Sequence, residues 1–123
     1  MLTHAPLQGR KILVVEDNFL VADHLSRVLR EAGWTVLGPA PNAEWALPLA
    51  RQDDLSGAVL DVRVAGGTSL AIAVELNARR VPYLVVTGYD PRGIPREMGN
   101  APFMSKPIDA QVLVRLAQQA FAT

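Results

Sequence analysis

Apolar and polar positions alternate along the chain with two different periods. The run that starts at Lys11 and ends at Val15 is apolar after its first residue, which is typical of a strand buried on both faces of a parallel sheet. After Asn18, apolar side chains recur at spacings of three and four, which predicts a helix capped by Asn18 and followed by Gly33. The side chains assigned to its apolar face are Phe19, Leu20, Val21, Leu25, Val28, Leu29 and Ala32.

The same alternation continues along the rest of the chain. Further strands are predicted at residues 34–38, 57–61, 81–87 and 102–105. Further helices are predicted from a cap at Asn42 to about Arg51, from Thr68 or Ser69 onward, and after a cap at Asp109. Trp45 falls off the apolar face of the second helix, and we expect it to pack over a loop.

Residues 88–100 interrupt this alternation. They contain three glycines and two prolines and form no helical face, so we predict a loop with at most one short turn. Five strands separated by helices imply an α/β fold with a parallel, doubly wound sheet covered on both faces. The chain is interpreted as a flexible tail at residues 1–9 and a single domain at residues 10–123, with no output domain.

Composition excludes several classes of protein. The chain has 123 residues and no cysteine, so a disulfide framework and a thiolate metal site are both excluded, and a reducing cytoplasm is compatible. It lacks the long apolar stretch of a membrane span or a signal peptide. Twelve basic residues balance twelve acidic ones without a basic stripe. We therefore expect a cytoplasmic protein that binds neither membrane nor nucleic acid.

Polar side chains stand where four of the predicted strands end. Glu16 and Asp17 follow the first strand, Asp61 the third, Thr87 the fourth and Lys106 the fifth. Parallel strands bring such positions to one edge of a sheet, which is where ligands bind in open α/β folds. Adjacent carboxylates favour a hard cation such as Mg²⁺, although the first pair alone would equally suit a solvated strand end.

Together these side chains suggest phosphoryl chemistry. Glu16 and Asp17 would hold Mg²⁺ directly or through water, and Asp61 would complete the site as an exposed nucleophile that forms an acyl phosphate. Lys106 and Thr87 would neutralise and bind the phosphoryl oxygens. Drawing these two residues inward would then be the switch.

The pattern resembles the receiver domain of two-component response regulators, from about Arg10 to Ala122. Besides the acidic residues, the Lys106-Pro107 pair carries the resemblance. It implies a flavodoxin- or CheY-like sheet of order 2-1-3-4-5, with phosphorylation of Asp61 by a sensor histidine kinase. It also implies that the Arg63 backbone carbonyl is a further Mg²⁺ ligand.

A narrower resemblance concerns Pro82 to Tyr89, which is similar to the Pro-Phe-x-Phe-Ala-Thr-Gly-Tyr signature of FATGUY receivers. That group implies a stand-alone regulator paired with kinases of the HWE or related type, and a fourth helix that is short or replaced by a loop. Two positions depart from ordinary receivers. Ala65 replaces a proline, and Phe103 replaces the tyrosine of the aromatic switch position.

Three alternatives compete with a phosphoacceptor. A haloacid-dehalogenase-like phosphatase would need a second aspartate where Arg63 stands. A flavodoxin-type ligand binder would place phosphate where Glu16 and Asp17 repel it. A pseudo-receiver would act as an interaction module without phosphate.

We therefore expect a signalling protein and not an enzyme. The only reactions it would catalyse are its own phosphorylation and dephosphorylation. Its output would be binding of another protein or transfer to a phosphotransfer histidine. Residues 88–100 would be mobile before phosphorylation and would order when Thr87 moves.

Overall fold

The computed structural model describes residues 10–88 and 91–121. The predicted tail at residues 1–9 lies outside the described residues. In chain order the elements are β1 (Lys11–Val15), α1 (Phe19–Glu31), β2 (Thr35–Ala40), α2 (Ala43–Ala50), β3 (Leu55–Asp61), β4 (Arg63–Val64), β5 (Gly67–Thr68), α3 (Leu70–Arg79), β6 (Tyr83–Thr87), two 3-10 turns (Pro91–Gly93 and Arg96–Met98), β7 (Phe103–Ser105) and α4 (Ala110–Phe121).

Five of these strands form one parallel sheet in the order β2-β1-β3-β6-β7. Counting only the strands of this sheet, the order is 2-1-3-4-5, which confirms the prediction. The β4 and β5 strands instead pair with each other as a small antiparallel hairpin. The connection between β3 and α3 therefore contains a two-residue ladder, because Gly66 and Gly67 both adopt positive φ and reverse the chain there.

Helices cover both faces of the sheet. On one face α2, α3 and the turn at Arg96–Met98 bury Ala46, Leu76 and Met98 against the strands. On the other face α1 and α4 bury Leu25, Leu29 and Leu113. The two layers leave β1, β3 and β6 almost wholly inside, as their continuous apolar sequences predicted.

Two apolar assignments were wrong. Phe19 and Leu20 are 78% and 76% exposed, because the buried face of α1 runs through Ala22, Leu25, Ser26 and Leu29 and leaves its first turn uncovered. Trp45 is 66% exposed, whereas a side chain packed over a loop was expected to be mostly covered. The buried residues of α2 are the small Ala46 and Ala50, and Trp45 precedes them on the outer side.

Several strand ends differ from the prediction by one or two residues, and the segment after β6 differs in its turns. The β2 strand runs on through Pro39 to Ala40, which is possible because it is an edge strand and Gly38 adopts a φ of +91° at a bulge opposite β1. In the described part of residues 88–100 there are two short 3-10 turns, where one at most was expected. No α-helix forms in the described part of this segment, which confirms the fourth helix as replaced.

None of the helices in residues 10–88 and 91–121 is long and apolar enough to cross a membrane.

Candidate functional site

The acidic residues predicted from strand ends meet at one edge of the sheet. Glu16 and Asp17 directly follow β1, and Asp61 is the last residue of β3, the strand that pairs with β1. Carboxylate oxygens of these three residues lie within 4.8 Å of one another. The parallel register produces this cluster, since it brings strand ends distant in sequence to the same level.

Lys106 lies inside the acidic cluster. Its Nζ is 2.8 Å from Glu16 Oε1 and 2.9 Å from Asp61 Oδ2. Its backbone N–H donates to the Thr87 carbonyl at 2.9 Å, which continues the β6–β7 pairing by one residue. The prediction that Lys106 is drawn inward only after phosphorylation therefore differs from the structure. The ammonium already contacts both carboxylates, because two buried anions need a nearby cation.

Burial differs sharply among the site residues. Glu16 and Asp61 are only 2% and 5% exposed, whereas Asp17 is exposed. The prediction of Asp61 as an exposed nucleophile was wrong, because the residue ends a central strand and is covered by the contact with Lys106. Thr87 is also buried, at the end of β6.

Burial and pairing shift the protonation of the site in opposite ways. Burial raises the pKa of Glu16, although Lys106 and the Asn18 backbone N–H, which donates to Oε2 at 3.0 Å, both favour its ionised form. Burial by itself would lower the pKa of Lys106, but its bonds to Glu16 and Asp61 outweigh burial and raise it. The site therefore holds a firmly protonated ammonium among carboxylates.

One oxygen of the Asp61 carboxylate has neither a hydrogen bond nor an ion pair among the described residues. Asp61 Oδ1 is buried and has no hydrogen-bond partner among the described residues, while Oδ2 is held by Lys106. A buried acceptor without a donor is costly, so an orphaned oxygen beside two further carboxylates fits a bound cation. Oxygen donors of this kind suit Mg²⁺, and the clustered carboxylates are the three that were predicted, whereas the role of the Arg63 carbonyl stays a prediction.

The other residues that the sequence singled out lie within four residues of Asp61 or of Lys106 in the chain. Arg63 is exposed and opens β4, two residues after Asp61. Ala65 is exposed in the turn between β4 and β5. Phe103 is 44% exposed at the start of β7.

Sequence reasoning gave Ser69 no part in the site, only a place at the start of a helix. Its side chain is fully buried, and Oγ donates to the Asp61 backbone carbonyl at 2.6 Å. A serine beside a predicted helix start usually signals a cap, so the sequence pattern gave no sign of this contact.

Known proteins share this architecture. PdtaR, a transcriptional regulatory protein of Mycobacterium tuberculosis, is 27% identical over 109 residues, covering 85% of this chain and 53% of PdtaR. This chain therefore spans about half the length of that relative. No protein-family model matches the chain.

Two solved structures illustrate the likeness. The receiver domain of the sensor histidine kinase PA1611 from Pseudomonas aeruginosa has a TM-score of 0.81 at 24% identity, covering 94% of this chain and 99% of that domain. A response regulator from Burkholderia pseudomallei has a TM-score of 0.74 at 26% identity. The match covers 93% of this chain and 67% of that protein.

The fold is the one found in CheY-like response regulator receiver domains. Other curated proteins similar to the chain are a sensory transduction protein of Mycolicibacterium smegmatis and a phyllosphere-induced regulator of Methylorubrum extorquens.

Proposed function

We propose that the chain is a phosphoacceptor receiver that takes a phosphoryl group on Asp61 from the phosphohistidine of a sensor kinase. The observation that carries this proposal is the unequal treatment of the two Asp61 oxygens. Lys106 holds Oδ2 at 2.9 Å, whereas Oδ1 has no hydrogen-bond partner among the described residues. One oxygen is thus oriented and the other is left for a cation or for phosphorus.

The transfer balances without other groups. An Asp61 carboxylate oxygen bonds to phosphorus as the phosphorus–nitrogen bond of the donor breaks, and the donor, whose other ring nitrogen carries a proton, leaves as neutral imidazole. Lys106 neutralises negative charge on the transferring group, and Thr87 donates to a phosphoryl oxygen. Bound Mg²⁺ supplies further charge neutralisation, and Glu16, Asp17, Asp61 and the Arg63 carbonyl would hold it. The crystal structure of the Burkholderia relative contains a phosphorylated aspartic acid and a calcium ion, which supports this chemistry for the fold.

The direct test is the intact mass of the protein after incubation with acetyl phosphate and Mg²⁺. We expect the mass of one phosphoryl group to be added to the parent. Asp61→Asn, which keeps the size of the side chain, should gain none, and neither should the parent without Mg²⁺. If the parent gains no mass, beryllofluoride binding followed by NMR separates a short-lived adduct from a site that takes no phosphoryl group.

A pseudo-receiver is the second candidate, and one observation favours it. Lys106 already pairs with both Glu16 and Asp61, so two buried carboxylates have a cation without metal or phosphate. In that case the chain would bind a partner in this state, and Asp61→Asn would keep the binding. Loss of both the mass adduct and the beryllofluoride response would make this the function.

The signalling context follows from the same chemistry. A sensor histidine kinase, with the HWE type implied by the FATGUY resemblance, would be the donor, and a protein or a phosphotransfer histidine would be the recipient. The chain would act as a signalling protein in the cytoplasm, a compartment that suits its lack of cysteine. Its own chemistry would be limited to phosphotransfer and dephosphorylation. Phe103 would change its exposure together with Thr87 as the switch.

A further inference from the structure

We propose that Ser69 is a positioning residue for Asp61, an inference that rests on the proposed function of the same site. Ser69 is fully buried, and its Oγ donates to the Asp61 backbone carbonyl at 2.6 Å. Its backbone N–H donates to the Val62 carbonyl at 2.9 Å. One residue therefore holds the carbonyls of two successive residues where β3 ends.

The hydroxyl of Ser69 does not cap the helix that follows it. Ser69 occupies the N-cap position of α3 but makes no side-chain cap, and its φ and ψ of −90° and 14° are not those of a usual N-cap. The neighbouring Thr68 takes over, because its Oγ1 accepts from the Leu70 N–H at 3.3 Å. A serine that gives up a favourable cap for a bond to the Asp61 main chain breaks a local rule, which is typical of functional positions.

The bond has a direct consequence for geometry. Asp61 ends β3, and the chain turns away into the β4–β5 hairpin two residues later. The contact with Lys106 holds the end of the Asp61 side chain, whereas Ser69 holds its backbone carbonyl. With both ends held, the unpartnered Oδ1 keeps a constant direction relative to Glu16 and Asp17. Reactions and cation sites that depend on such positioning lose much of their efficiency when a group shifts by about 1 Å.

Ser69→Ala removes the hydroxyl without adding volume. We expect Mg²⁺ affinity, followed by backbone amide shifts in NMR titrations, to fall about tenfold. The rate of phosphorylation by acetyl phosphate at saturating Mg²⁺ should fall by a similar factor. The backbone ¹³C resonance of Asp61 should shift in the absence of Mg²⁺, because its carbonyl loses the donor.

Thr68→Ala is the matched control, since it removes a neighbouring hydroxyl that caps α3 and that is exposed. It should lower thermal stability but leave Mg²⁺ affinity, rate and the Asp61 resonance unchanged. A merely structural role for Ser69 predicts the same result for both variants, and that result would overturn the proposal. If the parent protein is never phosphorylated, the proposed function fails. The Mg²⁺ affinity and the Asp61 resonance of Ser69→Ala then still decide the role of Ser69.

Discussion

Lys106 is the side chain on which the charge balance of the site depends. Its ammonium contacts both the Glu16 and the Asp61 carboxylates, and its side chain is itself mostly buried. Glu16 has a side chain with no exposure at all, so water cannot replace a lost ammonium there. Removing one partner of a buried pair leaves an uncompensated charge, which costs more than the pair contributes.

Lys106→Met should therefore destabilise the fold at neutral pH and without Mg²⁺. We expect a loss of about 2 kcal/mol in the free energy of unfolding, below the range of a fully buried pair because the lysine is partly exposed. Urea unfolding followed by circular dichroism measures it. Lys11→Met is the matched control, because Lys11 is the other lysine of the chain and pairs with the exposed Asp54. That variant should unfold close to the parent.

The cost of Lys106→Met should depend on pH with a definite sign. Burial raises the pKa of Glu16 in the folded protein above its ordinary value of 4.5, so the folded state holds this proton more tightly than the unfolded chain. Such a group stabilises the fold below pH 4.5 and loses that contribution as pH rises through the folded pKa. Without Lys106 the pKa of Glu16 rises further. The loss of unfolding free energy in Lys106→Met should therefore be small at about pH 4 and complete at about pH 7.5. An equal deficit at both pH values would contradict this assignment of the charge.

The C-terminal end of α4 packs closely against the β3 strand at Gly57. A Cβ at Gly57 would fall on the ring of Phe121, the last residue of α4, which itself meets Trp34 edge to face at 6.3 Å. The Arg10 guanidinium also donates to the Phe121 carbonyl at 3.0 Å. The C-terminal end of α4 is thus placed by contacts from β3 and from the residue before β1.

Gly57→Ala should push the Phe121 ring off this position and destabilise the protein by about 2 kcal/mol, as overpacking in a filled core does. Thermal unfolding measures the loss, and the near-ultraviolet circular dichroism of Trp34 reports the changed ring contact. Gly93→Ala is the control, because a Cβ at Gly93 meets nothing within 4 Å. Equal stability of the two variants would mean that α4 yields without cost.

Much of this architecture could be predicted, because the apolar periods and the caps act locally. Asn18 and Asn42 accept from backbone N–H groups three residues on, as the sequence indicated, and Asp109 does so for Gln111 and Val112. What could not be predicted depends on contacts distant in sequence. The exposure of Phe19 follows from which face of α1 packs against the sheet, and the hydroxyl of Ser69 meets its acceptor only where β3 and α3 pack together.

The segment from Gly88 to Asn100 is held at its far end by side chains of other elements. Tyr83 Oη and Asn77 Nδ2 both donate to the Glu97 carbonyl, at 3.2 and 3.1 Å, and Met98 is buried in the core. Its near end directly follows Thr87. A change at Thr87 would therefore act on a segment that is already fixed at its far end, around Glu97 and Met98.

Tyr83→Phe removes one of the two donors to Glu97 and keeps the ring. We expect the backbone amides of Met98, Gly99 and Ala101 to exchange with solvent about fivefold faster, the equivalent of one hydrogen bond. Hydrogen exchange by NMR measures it, with the amides of β1 as the internal reference. Unchanged exchange at these three amides would mean that Asn77 and Met98 hold the segment without Tyr83.

The site and the fold form one cooperative unit. Asp61 and Lys106 are 45 residues apart in sequence and meet only when β3, β6 and β7 are paired. The acidic cluster likewise needs β1 beside β3. An unfolded chain has no such site, so any ligand of the cluster binds the folded state alone and stabilises the whole domain.

Mg²⁺ should therefore raise the stability of the entire protein and not only order the site. At a Mg²⁺ concentration about 100-fold above Kd, the free energy of unfolding should rise by about 2.7 kcal/mol, which calorimetry records as a higher Tm. Asp17→Asn should lose most of this gain, because Asp17 belongs to the cluster and is exposed to entering ions. Asp23→Asn removes a carboxylate on α1 that pairs only with Arg27 among the described residues, and it should keep the full gain. Both variants change the net charge equally, but of the two carboxylates only that of Asp17 lies close to Glu16 and Asp61. The same Mg²⁺ response in both variants would therefore place the ion away from the cluster.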